Sequence, residues 1–173
     1  LEGEAMGTSF HVRVPGAAES EEQDLAGRVL AELDAVDRAM STWKPDSELS
    51  RLNRAPAGAP VALSDPTFEL IERSLALAAE TGGAFDVTVG PLVDAWGFGP
   101  DGAVTAVPST EEIARLQRLT GADRLRLDPV ERTVTKSDDA VEVDLSAIAK
   151  GYSVDRVAAA LVAAGHEAFM VEV

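Results

Sequence analysis

The sequence contains no cysteine, which excludes a disulfide framework, a thiolate zinc site and a thiol nucleophile. Its two histidines, His11 and His166, lack a partner pattern such as His-Glu-x-x-His, so zinc chemistry and a Ser-His-Asp triad have no support. No apolar run approaches the length needed to span a bilayer, and the start at Leu1 lacks the charged and apolar regions of a signal peptide. A leader removed from a precursor would leave the same beginning.

Basic residues are scarce: 15 lysines and arginines stand against 30 aspartates and glutamates, for a formal net charge of −15. Nucleic acid and anionic lipid headgroups would be repelled by such a surface, so we expect no nucleic-acid partner. Acidic side chains gathered in a cleft would instead suit a divalent cation, or a polyphosphate ligand that arrives with one.

The composition is that of a globular chain, with 46% hydrophobic and 26% charged residues over 173 positions. This length fits one compact domain or part of a larger one, and we predict that residues 1–173 form the N-terminal portion of a single domain. The glycines at 97 and 99 are not followed by a third at the Rossmann spacing, and there is no Walker A sequence.

Apolar periodicity and capping signals predict helices at about 20–40, 66–81, 110–120 and 146–164. The first of these is predicted to be capped by Ser20, with Gln23 at the capping-box position. Alternating patterns predict strands at 10–14, 124–127, 133–136, 141–143 and 169–173. Between them, 41–64 is predicted to be a long connection with at most a helical turn at 48–52, and 84–96 a tight bend with a short element. This order predicts a mixed α+β domain, and the final strand needs edge partners, so the domain is predicted to be incomplete at its C-terminus.

The most specific candidate site is the stretch 143–152, where a strand end leads into a helix. Free backbone N–H groups and the positive end of the helix dipole suit an anion there, and Lys150 adds a charge one turn in. Asp144 would either accept hydrogen bonds from a ligand ring or serve only to cap the helix. The spacing leaves these alternatives evenly balanced.

Two further stretches offer aromatic or small residues beside a possible flat ligand. The run Gly82-Gly83-Ala84-Phe85-Asp86 allows close backbone approach next to an aromatic ring and a carboxylate, although composition alone favours a helix C-cap followed by a core phenylalanine. Trp43 follows the first helix on a loop, where its ring would either stack on a ligand or cover the core.

Several segments stand in order along the chain: Met6-Gly7-Thr8; Ser41-Thr42-Trp43 with the run from Asp46 to Asn53; the run from Gly83 to Leu92 with Trp96-Gly97-Phe98-Gly99; and the run from Asp144 to Tyr152. Together they resemble the ApbE family of FAD:protein FMN transferases, formerly described as thiamine biosynthesis lipoproteins. The resemblance implies a tetrahydropterin-synthase-like fold and magnesium-dependent transfer of FMN from FAD to a threonine of an acceptor flavoprotein, with release of AMP.

The resemblance also implies roles for individual residues. The FAD-contacting positions it implies are Met6, Trp43, Ala84, Phe85, Asp86, Asp144 and Lys150. It implies that the backbone carbonyl of Ala147 is a ligand of Mg²⁺.

The family pattern normally continues with Gly-Gly-Asp, His-x-x-Asp-Pro-x-x-Gly and Ala-Asp-Ala-x-x-Thr segments, which supply the catalytic histidine and the other metal ligands. These segments are absent from the sequence, so the catalytic residues stay unknown and the chain alone is predicted to be inactive. An FAD pyrophosphatase that releases FMN and AMP, or a non-catalytic FAD-binding protein, remains an alternative. Family habit implies a periplasmic or cell-envelope location, with a lipid anchor in the precursor.

Overall fold

The computed structural model describes residues 1–100 and 106–173. In chain order its elements are β1 (Glu2–Ala5), β2 (Thr8–Arg13), α1 (Glu22–Met40), α2 (Glu48–Arg54), β3 (Val61–Ala62), α3 (Asp65–Glu80), α4 (Gly90–Ala95), α5 (Thr110–Gln117), β4 (Leu125–Asp128), β5 (Thr133–Lys136), α6 (Ser146–Ala163) and β6 (Met170–Glu172). The chain divides into two compact units, one of residues 1–39 and 148–173 and the other of residues 40–147. That 1–173 forms part of one domain stays a prediction.

The first unit is built on an antiparallel sheet in the order β1-β2-β6. Phe10 and Val12 of β2 are buried while His11 and Arg13 point outward, so the predicted alternation is confirmed. The core of this unit consists of Phe10, Val12, Leu25, Val29, Leu33, Val157 and Leu161. Strand β1 was missed, because its sequence, Glu-Gly-Glu-Ala, has no β-branched or aromatic residue and pairs with β2 through its backbone.

The predicted helix at 20–40 is confirmed, but the predicted capping by Ser20 with Gln23 is wrong. A 3-10 turn at Glu19–Glu21 precedes α1, and the Glu21 carboxylate accepts a hydrogen bond from the backbone N–H of Ala18 at 2.8 Å. Because the Glu21 carboxylate satisfies the free N–H of Ala18, the helical turns begin at Glu19, one residue before Ser20.

The second unit contains an antiparallel sheet in the order β3-β5-β4, and the predicted hairpin of β4 and β5 is confirmed. Helix α3 matches the predicted helix within one residue at each end and buries Phe68 and Ile71 completely. Helix α2 is longer than the predicted turn. It is capped by the Ser47 hydroxyl, which accepts from the N–H of Ser50 at 2.9 Å, and it ends before a proline.

The predicted strand at 141–143 is wrong: these residues belong to neither sheet, and Val141 and Val143 are buried. Side chains replace the strand ladder, since Lys136 donates to the carbonyl of Val141 and the carboxamide of Asn53 bonds both backbone groups of Val143. The alternation of apolar residues that predicted the strand therefore reflects burial of the two valines.

Within residues 1–100 and 106–173, no helix combines the length and the hydropathy needed to cross a membrane.

Candidate functional site

The Asp144 carboxylate lies at the start of α6 and is nearly buried, with 8% of the residue exposed. Its Oδ1 accepts a hydrogen bond from the backbone N–H of Ser146 at 2.6 Å, an Asx turn that leads into the helix. Among the described residues this is the carboxylate's only hydrogen bond. The capping role is therefore real and occupies one oxygen, which leaves Oδ2 to accept from a ligand.

The chain around Val87 runs beside the chain around Asp144. The N–H of Asp144 donates to the carbonyl of Val87 at 2.8 Å, and the N–H of Gly90 donates to the carbonyl of Glu142 at 3.3 Å. A Cβ added at Gly90 would lie 2.7 Å from the Cβ of Glu142, so this crossing requires glycine. The structure thus joins two of the segments that carry the family resemblance.

Asp86 builds the turn that precedes this crossing. Its Oδ1 accepts from the N–H of Thr88 at 2.7 Å and from the Thr88 hydroxyl at 2.6 Å. The same hydroxyl oxygen accepts from the N–H of Gly121 at 2.7 Å. The Oδ1 atom of Asp86 therefore stabilises this turn. The contact of Asp86 with FAD stays a prediction.

The glycine pair at 82 and 83 ends α3. The N–H of Gly83 donates to the carbonyl of Ala78 at 2.8 Å and that of Gly82 to Ala79 at 3.2 Å, with φ values of +84° and +61°. This is a Schellman motif, so the C-cap interpretation of these glycines is confirmed. Beyond it Ala84 is exposed and Phe85 half-buried, so neither is the core residue that the simpler alternative required.

A cavity of about 220 Å³ opens in the second unit. It is lined by Thr42, Ser50, Asn53, Arg54, Gly90, Asp94, Pro100, Glu142, Val143 and Asp144. Small-molecule pockets usually measure about 300–1,000 Å³, so this cavity has room for part of a dinucleotide. Trp43 follows the lining residue Thr42 directly and is 65% exposed, which rules out the alternative that its ring covers the core.

Met6 lies in the first unit, in the two-residue turn between β1 and β2. Met6 and Gly7 have φ values of +53° and +74°, the signature of a type I′ turn, which normally takes asparagine or glycine at the position of Met6. A methionine held in this conformation is strained, and such strain points to a functional role. Met6 also lines a cavity of about 470 Å³ together with Glu4, Asp34 and Asp37.

Lys150 lies in the first unit, one turn into α6, and its side chain is exposed. Its carbonyl accepts a hydrogen bond from the Ser153 hydroxyl at 2.7 Å. The positions of Met6 and Lys150 are described within their own unit only, so their predicted meeting with Phe85, Asp86 and Asp144 around one ligand stays a prediction.

The predicted magnesium ligand, the carbonyl of Ala147, belongs to the first turn of α6, and Ala147 is exposed there. Over the part of the chain that the structure describes, no three histidine, aspartate or glutamate side chains are grouped so as to hold a metal ion. The described residues therefore fit a magnesium site only in part, with one backbone oxygen as a candidate ligand.

Sequence reasoning missed two residues beside the site, Asn53 and Lys136. Lys136 is 1% exposed, and its ammonium donates to the carbonyls of Asn53, Asp139 and Val141 at 2.6, 3.1 and 2.9 Å. Burial lowers the pKa of Lys136, against the opposing influence of the Glu142, Asp139 and Asp138 carboxylates. Asn53 ends one of the segments that carry the resemblance, although no role was assigned to it. For Lys136 the sequence shows only a lysine at the inner end of a strand pattern, a position that is usually solvated.

This arrangement of helices and antiparallel sheets is the fold of known flavin transferases. The chain superimposes on the flavin transferase ApbE from Vibrio cholerae with a TM-score of 0.91 at 40% identity, covering all of this chain and 56% of that one. It superimposes on the Pseudomonas stutzeri flavinyl transferase ApbE, apo form, with a TM-score of 0.89 at 36% identity, covering all of this chain and 57% of that one. The predicted α+β fold is confirmed.

Residues 6–173 match the ApbE family, and the chain belongs to that family. A curated relative from Vibrio cholerae, named FAD:protein FMN transferase, is 40% identical over 176 residues that cover all of this chain and 52% of the relative. A Klebsiella pneumoniae relative of the same name is 38% identical, and the match covers all of this chain and 50% of that relative. The chain thus spans about half the length of the curated relatives it matches.

Proposed function

We propose that the protein transfers FMN from FAD to a threonine of an acceptor flavoprotein and releases AMP. Membership of the ApbE family supports this proposal, because the relatives that match along the whole chain are named FAD:protein FMN transferase. The observation that carries it in this chain is the juxtaposition of Asp144 with the stretch from Val87 to Gly90, since both belong to the segments that define the resemblance.

In this proposal Asp144 orients the ligand. Oδ1 stays bonded to the N–H of Ser146, while Oδ2 accepts a hydrogen bond from a ring N–H or a hydroxyl of FAD. Near-burial strengthens such a charge-assisted bond. Trp43 provides an exposed aromatic face for stacking, and Lys150 provides a cation for the pyrophosphate.

Magnesium belongs to the proposal because the threonine oxygen displaces AMP from the FMN phosphorus, and a cation on the pyrophosphate would neutralise the charge that builds on the departing AMP. In the described residues no three histidine, aspartate or glutamate side chains group to hold a metal ion, so we place the remaining ligands and the base that takes the threonine proton in sequence outside this chain. The half-length coverage of the relatives supports this placement.

Mass spectrometry of an acceptor incubated with the natural full-length protein, FAD and magnesium tests the proposal. A mass gain equal to FMN on the acceptor, lost when its threonine is replaced by valine, is the expected result. Free FMN and AMP without labelled acceptor would instead indicate an FAD pyrophosphatase, and tight FAD binding without either product would indicate a binding protein.

We place the protein in the periplasm or cell envelope, as the family resemblance implies. Fractionation of the source cells, with recovery of the protein in the cytoplasmic fraction, would contradict this location.

A further inference from the structure

We propose that Asn53 is a positioning residue for Asp144, held in place in turn by Lys136. The inference rests on the proposed function, because it assigns Asp144 a ligand to meet. It concerns two residues that the family resemblance did not single out for any role.

The Asn53 carboxamide acts on the backbone immediately before Asp144. Its Nδ2 donates to the carbonyl of Val143 at 2.9 Å, and its Oδ1 accepts from the N–H of Val143 at 2.8 Å. A single side chain thereby makes both hydrogen bonds that a neighbouring strand would make. The Asp144 N–H donates to the carbonyl of Val87, so hydrogen bonds fix the backbone at Val143 and at Asp144 itself.

Lys136 fixes the other end of this connection. All three donors of its ammonium are used, on carbonyls from the end of α2 and from the loop at 139–141. The carbonyl of Asn53 lies in the last turn of α2, where backbone carbonyls have no partner within the helix. By donating to this carbonyl, Lys136 also caps the C-terminal end of α2. The lysine therefore ties the helix that presents Asn53 to the loop that leads into Val143.

These hydrogen bonds favour a role for Asn53 in positioning Asp144 over a direct contact of Asn53 with the ligand. Asn53, Val143 and Asp144 share the lining of the 220 Å³ cavity, but the Asn53 carboxamide spends one donor and one acceptor on Val143. Its removal would free the backbone and let Asp144 shift, while the carboxylate itself would remain. A misplaced carboxylate makes a weaker hydrogen bond, so ligand affinity falls without loss of charge.

A double-mutant cycle on FAD affinity in the natural full-length protein tests the proposal, using Asn53→Ala, Asp144→Asn and the pair, with binding followed by quenching of FAD fluorescence. Loss of one charge-assisted bond predicts about a tenfold to hundredfold weaker affinity for Asp144→Asn, and we expect about tenfold for Asn53→Ala. Because Asn53 acts through Asp144, its effect should largely vanish in the Asp144→Asn background. Additive effects would overturn the positioning role.

Other variants separate positioning from folding and from the proposed function. Asn53→Asp keeps the shape but sets a carboxylate against the Val143 carbonyl, and should weaken affinity even if Asn53→Ala fails to fold. Lys136→Arg should not restore affinity relative to Lys136→Met, because a planar guanidinium cannot direct three donors to three carbonyls around one point. Gln117→Ala removes an exposed carboxamide elsewhere and should change nothing. If Asp144→Asn alone leaves affinity unchanged, the role proposed for Asp144 fails and this inference with it. If the wild type binds no FAD, the proposed function fails as well.

Discussion

The backbone of Gly90 lies against Glu142 so closely that a Cβ on the glycine would come within 2.7 Å of the glutamate's Cβ and 2.9 Å of its carbonyl oxygen. The same two residues are joined by a hydrogen bond from N–H to carbonyl at 3.3 Å. This contact sets the distance between the start of α4 and the segment that leads into Asp144.

Replacing Gly90 with alanine is therefore expected to push these segments apart. Overpacking of this kind costs about 1–3 kcal/mol, so Gly90→Ala should lower the free energy of unfolding by that amount in urea denaturation. Gly27 is the matched control, because it lies in α1 with open space around it, and Gly27→Ala should be neutral or stabilising by up to about 1 kcal/mol. Equal stability of the Gly90 variant and the wild type would show that the contact is not tight.

Met6→Asn is expected to separate stability from binding. Asparagine suits the first position of a type I′ turn, so the free energy of unfolding of the variant should rise by about 0.5–1 kcal/mol. Its melting temperature should rise accordingly. If Met6 contacts flavin as the family resemblance implies, FAD affinity should fall at the same time. An unchanged melting temperature would mean that the methionine is not strained, and unchanged affinity would remove Met6 from the ligand site.

Asp144→Asn should lower FAD affinity while leaving stability nearly unchanged, because asparagine can still accept the hydrogen bond from Ser146 at the start of α6. Asp144→Ala removes that bond as well and should cost about a further 1 kcal/mol in the free energy of unfolding. Thermal denaturation and FAD titration of both variants measure the two effects separately. A large loss of stability in Asp144→Asn would point to a structural role for the charge.

The buried Lys136 makes stability depend on pH. Its pKa in the folded chain is lowered by burial from the ordinary value of 10.5, so between the two values the unfolded chain binds more protons. The free energy of unfolding of the wild type, relative to that of Lys136→Met, should therefore rise as the pH increases through this window towards 10.5. Urea denaturation of both proteins at several alkaline pH values checks the sign, and a relative fall would show that the three carbonyls and nearby carboxylates outweigh burial.

The chain of residues 1–173 alone is expected to leave a threonine-containing acceptor without flavin fluorescence after incubation with FAD and magnesium. The physical reason is the incomplete set of metal-binding side chains among its described residues. A full-length relative assayed in parallel serves as the positive control. Stoichiometric labelling of the acceptor by the chain alone would overturn the expectation.

The sequence predicted the elements whose signals are local. Helix α3 has apolar spacing, a proline at its start and a glycine pair at its end, and the β4–β5 hairpin has alternating residues around a short turn. The two-residue strand β3 had no such signal, because it is defined by its pairing with β5 across the unit.

The site was predictable only where a motif marked it. Asp144, Gly90 and Asn53 lie in segments that carry the resemblance, yet the contacts of Asn53 and Lys136 across the site were not predicted. Asn53 lies 90 residues from Val143, and Lys136 lies 83 residues from Asn53, so no local pattern reveals either contact. Lysine is also rarely buried, and composition alone gives no reason to expect a buried one.

The segment at 141–143 is held by an amide, an ammonium and the N–H of Gly90 in place of a neighbouring strand. These partners come from α2, β5 and the first residue of α4. The backbone that leads into Asp144 is therefore a junction of three elements, so a substitution in any one of them can change the shape of the cavity beside it.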